Sequence, residues 1–390
     1  PSEEEIAAAK RRSDSIAAVE QEQQREEAAR IDDAVEEQQE VENAIPTDSA
    51  GQESYKEQFG TFGAAAIGED GIVTIENELL AINVDRKGGR PLSVELKEYH
   101  TYDSLPLLLF DGPENRFSLD FFAKNQRIST QDLYFEPSST GFAVNADDSK
   151  SLTMRLSADA DSYIEYVYTI HGNSYIVDFD INLSGMGDVV ERNANSLDLN
   201  WKNDFPHQEK SLQTERENST IYYRFSDDEV DYISERSDDK ENITTDLQWV
   251  AFKQQFFSTV LIAKDGLEGP TEIETTHDEA DTNVVKTCEA KMTIPYGHNE
   301  MEHVEFQFYF GPNNYSTLKE YDLGLEKLIP LGWGIFGWVN RFAVIPLFNL
   351  LKDTGLGYGI IILILTLVIK LVLLPLTYKA YMSTAKMRVL

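Results

Sequence analysis

The side chains that could perform acid–base, nucleophilic or metal chemistry show no catalytic pattern in this sequence. Asp and Glu together number 68, so a carboxylate pair can be drawn almost anywhere and none is informative. No H-E-x-x-H motif occurs, and the closest two histidines, His298 and His303, have the wrong spacing for one face of a helix. The single cysteine, Cys288, cannot form an internal disulfide and is expected to be a structural thiol. We therefore predict no metal site, no cofactor and no enzymatic activity.

One charged residue stands out because of its surroundings. Lys370 is the only charge in residues 357–376, GYGIIILILTLVIKLVLLPL, a stretch about twenty residues long that could cross a bilayer. Thr366 lies one helical turn before Lys370, and Thr377 lies almost three turns after Thr366, so all three share one helix face. Such a polar stripe should face protein or a watery cavity, although Lys370 could instead snorkel to the lipid headgroups.

Charge predicts the orientation of this span. The residues after it include Lys379, Lys386 and Arg388, and no acidic residue follows Asp353. The whole chain carries a formal net charge of −34, which makes nucleic acid an improbable partner because phosphates would be repelled. By the positive-inside rule, residues 379–390 are cytoplasmic and the acidic part of the chain lies outside the inner membrane.

An aromatic segment precedes the span. A connecting helix is predicted over TLKEYDLGLEKLI, which begins at Thr317, and the rest of residues 319–354 is predicted to form a helix with few charges and several aromatic residues. These aromatic residues are Trp333, Phe336, Trp338 and Phe342. Because tryptophan prefers the headgroup depth and Pro346 would kink a deeply packed helix, the sequence favours an amphipathic helix at the membrane interface over an ordinary core helix.

The rest of the chain has two textures. Residues 1–51 are rich in Glu, Gln and Ala and predict an acidic linker, either helical or disordered. Residues 52–318 contain short runs of Val, Ile, Tyr, Phe and Thr, which predict a large antiparallel β-sandwich. Two hairpins are predicted, one with Gly88 and Gly89 at its tip and one turning through residues 171–173. Trp201 and Trp249 could line a sugar-binding groove, but tryptophan in a strand more often belongs to the core.

Four stretches resemble one known family. IKLVLLPLTYKAYMSTAKMRVL, at the C-terminus, is similar to the first core transmembrane helix and the start of the cytoplasmic hairpin of YidC-type membrane protein insertases, relatives of the mitochondrial Oxa and chloroplast Alb insertases. WVAFKQQFF, FYFGPNNY and GWGIFGWVNRFAVIPLFNLL resemble the Gram-negative members.

The resemblance implies a fold and an activity. It implies a mainly β chain: a periplasmic β-supersandwich over residues 52–318, an interfacial helix, one transmembrane helix over residues 355–378 and the start of a cytoplasmic hairpin. It also implies insertion and folding of nascent inner-membrane proteins, alone or with the Sec translocon and its accessory subunits, in contact with the lipid bilayer. Lys370 matches the positive residue of the family's hydrophilic groove, where the family usually has arginine, and Thr366 and Thr377 match polar positions.

Other readings of the same features remain open. The family's first anchor would precede Pro1 and four core helices would follow Leu390, so ribosome contacts would also belong to segments that this sequence lacks. A single-pass periplasmic receptor or a carbohydrate-binding module is the alternative that would explain a β domain with one span. A carbohydrate-active enzyme such as a mutarotase would need an acid–base pair in a cleft.

Overall fold

The structure is a computed structural model that describes residues 49–332, 334–352 and 354–387. The predicted linker over residues 1–51 lies outside these residues except for its last three. The chain divides into two compact units, the first ending at Gly311 and the second beginning at Pro312. The first unit opens with helix α1, Ser49–Gln58, and a 3-10 turn, Gly60–Ala65, rather than with a strand. This turn buries Phe62, and the first strand begins only at Ile72.

The described part of the first unit contains three sheets. A five-stranded sheet has the order β4-β3-β2-β1-β8 and is antiparallel except for the β1–β8 pair. Its strands are β1 Ile72–Glu76, β2 Leu80–Asp85, β3 Pro91–His100, β4 Pro106–Leu108 and β8 Gly141–Ala143. The predicted glycine hairpin is confirmed, because β2 and β3 pair antiparallel around Gly88 and Gly89, whose φ angles are +84° and +64°.

A nine-stranded sheet has the order β14-β13-β16-β17-β20-β11-β10-β9-β7. Its strands are β7 Glu136–Pro137, β9 Ser149–Ser157, β10 Tyr163–His171, β11 Ile176–Ser184, β13 Thr220–Phe225, β14 Val230–Tyr232, β16 Leu247–Lys253, β17 Phe257–Leu267 and β20 Met301–Pro312. The second predicted hairpin is also confirmed, since β10 and β11 pair antiparallel. In β11, Val177, Phe179 and Ile181 are buried while the residues between them are partly exposed, as the alternating sequence predicts.

A six-stranded sheet has the order β15-β18-β19-β12-β5-β6. Its strands are β5 Arg116–Ala123, β6 Gln126–Ser129, β12 Ser196–Pro206, β15 Asp239–Ile243, β18 Thr271–Thr276 and β19 Val284–Pro295. The short helix α2, Leu212–Glu217, follows β12 and begins at Ser211, whose hydroxyl accepts the backbone N–H of Thr214.

Aromatic side chains join the two larger sheets into a sandwich. Phe117 of β5 contacts Phe179 of β11, with ring centroids 5.2 Å apart, and Trp201 of β12 stacks on Phe252 of β16 at 3.7 Å. Burial of each such side chain contributes about 1.5–3 kcal/mol. The predicted antiparallel β-sandwich is therefore confirmed. Trp201 and Trp249 are both almost fully buried and belong to this core, so neither lines a sugar groove.

The second unit is helical where it is described. Helix α3, Tyr315–Glu320, is followed by a separate 3-10 turn, Leu325–Leu328, where the sequence predicted one continuous helix. The helix ends because Asp322 and Gly324 have φ angles of +54° and +71°, which an α-helix does not accommodate. Three further helices follow: α4 Ile335–Val339, α5 Ile345–Lys352 and α6 Tyr358–Met387.

Candidate functional site

A helical segment with exposed aromatic residues precedes α6. Helix α4 continues through a π-helical turn, Asn340–Val344, into α5. Pro346, at the second position of α5, has no N–H to donate to the carbonyl of Phe342, and the wider turn just before it lets the helix continue past the proline. At the start of the segment, the side-chain amide of Asn340 donates to the carbonyl of Leu331 at 2.8 Å.

Five large apolar side chains of this segment are exposed. The exposed fractions are 79% for Ile335, 73% for Phe336, 63% for Trp338, 61% for Phe342 and 66% for Leu350. The rings of Trp338 and Phe342 lie one turn apart with centroids at 5.6 Å. We call these five residues the aromatic surface. Its exposure departs from the pattern of an ordinary core helix, and exposed apolar groups this concentrated mark an interaction surface. Trp333, predicted to belong to it, lies outside the described residues.

Helix α6 carries the predicted polar residues. Thr366 and Lys370 are both exposed and lie one turn apart on the same helix face. The Thr366 hydroxyl donates to the carbonyl of Ile362 at 2.8 Å, so its proton is satisfied within the helix and its oxygen remains able to accept. Lys379 is exposed as well. The side chains of Thr377 and Lys386, and all of Arg388, lie outside the described residues.

Across the helices that the structure describes, none is long and apolar enough to cross a membrane. The transmembrane helix over residues 355–378 therefore stays a prediction from the sequence. Within this range the backbone is helical from Tyr358 onward, and Pro375 lies inside the helix.

The first unit contains two groups of titratable residues that the sequence analysis did not predict. Glu215 of α2 is buried 3.3 Å from the imidazole of His207, and burial raises the pKa of its carboxyl to about 7. On the outer face of the nine-stranded sheet, Asp180, His303 and Glu305 bring one ligand atom each to within 4.8 Å of one another. Neither group could be predicted from the spacing of residues along the sequence. Asp180 is distant in sequence from His303 and Glu305, and Glu215 lies on a helix whereas His207 follows a strand. Cys288 is buried as predicted, and burial raises the pKa of its thiol above the usual range.

Comparison with known proteins gives a consistent family. Residues 72–348 match the family model described as the YidC periplasmic domain. A protein named membrane protein insertase YidC from Parabacteroides distasonis is 40% identical over 352 residues, covering 88% of this chain and 54% of the relative. The protein of the same name from Porphyromonas gingivalis is 35% identical over 353 residues, covering 88% of this chain and 55% of the relative. The chain thus spans about half the length of the curated relatives it matches.

Solved structures add only a distant likeness. A galactose mutarotase-like protein from Lactobacillus casei is 9% identical, with a TM-score of 0.37. The superposition covers 62% of this chain and all of the Lactobacillus casei protein. Similarity at this level says nothing about activity. The family match and the curated relatives, by contrast, agree over most of the described β-sandwich and reach into the helical unit. This chain therefore belongs to the YidC family, and it carries the YidC periplasmic domain.

Proposed function

We propose that this chain is part of a membrane protein insertase, which inserts inner-membrane proteins into the bilayer and helps them fold. The observation that carries the proposal is the family membership, since the relatives that match most of the chain are named membrane protein insertases. In this proposal the aromatic surface contacts the membrane interface and the polar residues of α6 contact the inserted protein. Because the chain spans about half of its relatives, the remaining half would be needed for the complete activity.

The proposed arrangement follows from charge and exposure. Helix α6 crosses the inner membrane, the aromatic surface lies at the outer headgroup boundary, and the β-sandwich is periplasmic. Lys379, Lys386 and Arg388 then lie on the cytoplasmic side. Trp338 and Phe342 are suited to the headgroup depth because their rings are largely apolar and exposed.

The proposed mechanism uses no covalent chemistry. A short hydrophilic tail of the nascent protein enters a groove where Lys370, Thr366 and Thr377 offer a positive charge and hydroxyl groups. These groups lower the free-energy cost of moving polar atoms through a medium of low dielectric constant. Transfer of the substrate's apolar helix into lipid supplies the driving force, on the order of 25 cal/mol for each Å² removed from water.

Lysine instead of arginine at position 370 has a consequence for specificity. Both side chains are positively charged, but lysine lacks the planar fork that grips a carboxylate with two parallel hydrogen bonds. Lys370 would therefore act through its positive potential, and an acidic tail would gain more from it than a neutral tail. The Sec translocon and its accessory subunits are the proposed protein partners beside the nascent chain.

The test is a charge series at position 370 in the full-length protein. We expect Lys370→Arg to preserve insertion, Lys370→Leu to weaken it and Lys370→Glu to weaken it most. Reporter proteins that differ only in tail charge would be inserted at matched expression, and the loss should be largest for acidic tails because the Coulomb energy scales with charge. Lys379→Gln, which removes the charge of another exposed lysine of the same helix and leaves Lys386 and Arg388 to set the orientation, is the control for a general loss of charge.

Two results would contradict the proposal that Lys370 supplies a positive potential to a groove. Equal insertion of every reporter by the wild type and Lys370→Glu would leave the lysine as a headgroup anchor that snorkels. Equal losses for acidic and neutral tails would show that the variants disturb the helix rather than its potential.

A further inference from the structure

The pairing of two strands brings three metal-binding side chains together. Strands β11 and β20 are antiparallel neighbours in the nine-stranded sheet, with Asp180 opposite Glu305 and Asn182 opposite His303. His303 and Glu305 are two residues apart in one strand, so their side chains leave the same face of the sheet. The ligand atoms of Asp180, His303 and Glu305 all lie within 4.8 Å of one another. The cluster therefore rests on rigid backbone and not on loops.

A fourth residue orients the imidazole. The Nδ1 of His303 lies 2.6 Å from the side-chain oxygen of Asn182, and this oxygen can only accept, so Nδ1 carries the proton and donates it. The Nε2 atom lies 3.1 Å from an oxygen of Glu305, to which it donates when the imidazole is protonated, and loss of that proton makes Nε2 available to a metal. Histidines that bind metals use this arrangement, in which a neighbouring oxygen holds one ring nitrogen and leaves the other for the metal.

Negative charge around the cluster is only partly neutralised. Lys264 contributes one positive charge, with its Nζ 3.3 Å from Glu305 and 4.0 Å from Asp178. Asp180 and Glu305 face each other across the two strands, so both carboxylates add negative charge at this point of the sheet. A bound divalent cation would stabilise these carboxylates in their charged form.

We propose that Asp180, His303 and Glu305 form a binding site for a divalent transition metal ion, with Zn²⁺ as the ion it fits. One imidazole and two carboxylates match zinc better than Mg²⁺ or Ca²⁺, which take oxygen ligands. Tetrahedral zinc with bonds of 2.0–2.2 Å needs donor atoms about 3.3 Å apart. Small side-chain rotations that move the ligand atoms by little more than an ångström would bring them to this separation. Three protein ligands leave a fourth position for water or a donor from another molecule.

The first experiment is titration of the 390-residue chain in detergent micelles with ZnCl₂, followed by calorimetry. We expect one saturable site in the wild type and at least about a ten-fold loss of affinity in His303→Ala and Asp180→Asn. His171→Gln is the matched control, because His171 also pairs with a carboxylate, Asp178 at 2.7 Å, but does not belong to the cluster. This control should bind zinc like the wild type.

Two more variants separate a metal site from a network of ion pairs. Asn182→Ala keeps all three ligands but no longer holds the imidazole, so zinc affinity should fall by about ten-fold without loss of the site. Lys264→Gln removes the competing cation, so zinc should bind more tightly than to the wild type. Circular dichroism of each variant checks that the sheet is intact.

Several outcomes would overturn the proposal. No saturable zinc binding by the folded wild type would reject the site directly. Equal losses in His171→Gln and His303→Ala would show adventitious binding by surface histidines. Unchanged or weaker binding in Lys264→Gln would assign the cluster to ion pairing alone, and equal affinity for MgCl₂ would reject the role of the imidazole.

Discussion

Glu215 shows how one side chain can make the stability of the fold depend on pH. Its carboxyl lies in the interior beside His207, and one of its oxygens accepts the backbone N–H of Gln208 at 3.1 Å. Burial disfavours the charged form and raises the pKa from 4.5 to about 7 in the folded chain. The folded state therefore holds a proton that the unfolded state releases at a lower pH.

The sign of the effect follows from proton binding. Between pH 4.5 and about 7 the folded state binds more protons at Glu215 than the unfolded state, so the free energy of unfolding falls as the pH rises. A pKa difference of this size corresponds to at most about 3 kcal/mol. Glu215→Gln removes the ionisation and keeps an oxygen for Gln208, so it should stabilise the fold at pH 8 and have little effect at pH 4.5.

The measurement is urea unfolding of the wild type and Glu215→Gln at pH 4.5, 6 and 8. Glu217→Gln is the control, because Glu217 is on the same helix but exposed. Parallel pH profiles for the wild type and Glu215→Gln would show that Glu215 stays ionised in the folded chain.

At the scale of single elements, the β2–β3 hairpin depends on a glycine that the sequence already singled out. Gly89 has a φ of +64°, and a Cβ atom there would lie 2.8 Å from the ring of Phe135, which is fully buried. The ring cannot move without disturbing the core, so both the backbone and the packing oppose any larger residue.

Gly89→Ala should therefore lower the stability of the fold by about 3 kcal/mol or more, combining the strain of a left-handed backbone with overpacking. Gly269→Ala separates the two causes, because Gly269 also has a positive φ, +87°, but the nearest atom to its Cβ would be 4.0 Å away. We expect it to lose about 1–2 kcal/mol from backbone strain alone. Thermal unfolding of both variants would test this, and equal losses would remove Phe135 from the explanation.

The aromatic surface is the element on which the proposed position at the membrane depends. If it lies at the headgroup boundary, lipids brominated near the headgroups should quench Trp338 in the reconstituted chain. Trp338→Phe should then remove part of the quenchable emission. Trp249→Phe should leave that part unchanged, because Trp249 is buried in the β-sandwich. Quenching that is the same in Trp338→Phe and the wild type would place the surface away from lipid.

For the whole molecule, the proposed orientation can be tested with an impermeant thiol reagent in intact cells. A cysteine at position 69, where the native Glu69 side chain is 94% exposed, should react, and a cysteine at position 386 should react only after the inner membrane is opened. Cys288 is an internal control, since burial and its raised thiol pKa should keep it unreactive in the folded chain. Equal reaction of Glu69→Cys and Lys386→Cys in intact cells would contradict the orientation.

Features that depend on neighbouring residues along the chain can be predicted from the sequence alone. Alternation along β11, the glycines between β2 and β3, and the spacing of Thr366 and Lys370 are local patterns, and local backbone geometry turns them directly into a strand, a hairpin and a helix face. Four stretches between Trp249 and Leu390 were sufficient to indicate the family, which the family model and the curated relatives then confirmed.

Contacts between residues that are distant along the chain become visible only in the folded structure. The pairing of β11 with β20 brings Asp180 to a histidine more than a hundred residues away, and the approach of α2 to the end of β12 buries Glu215 beside His207. Neither contact leaves a periodic trace in the sequence, because strand register is set by the packing of a whole sheet face and not by the residues of one strand. Packing within the sandwich buries Trp201 and Trp249, as expected for tryptophans in strands, whereas Trp338 lies exposed on helix α4 of the second unit.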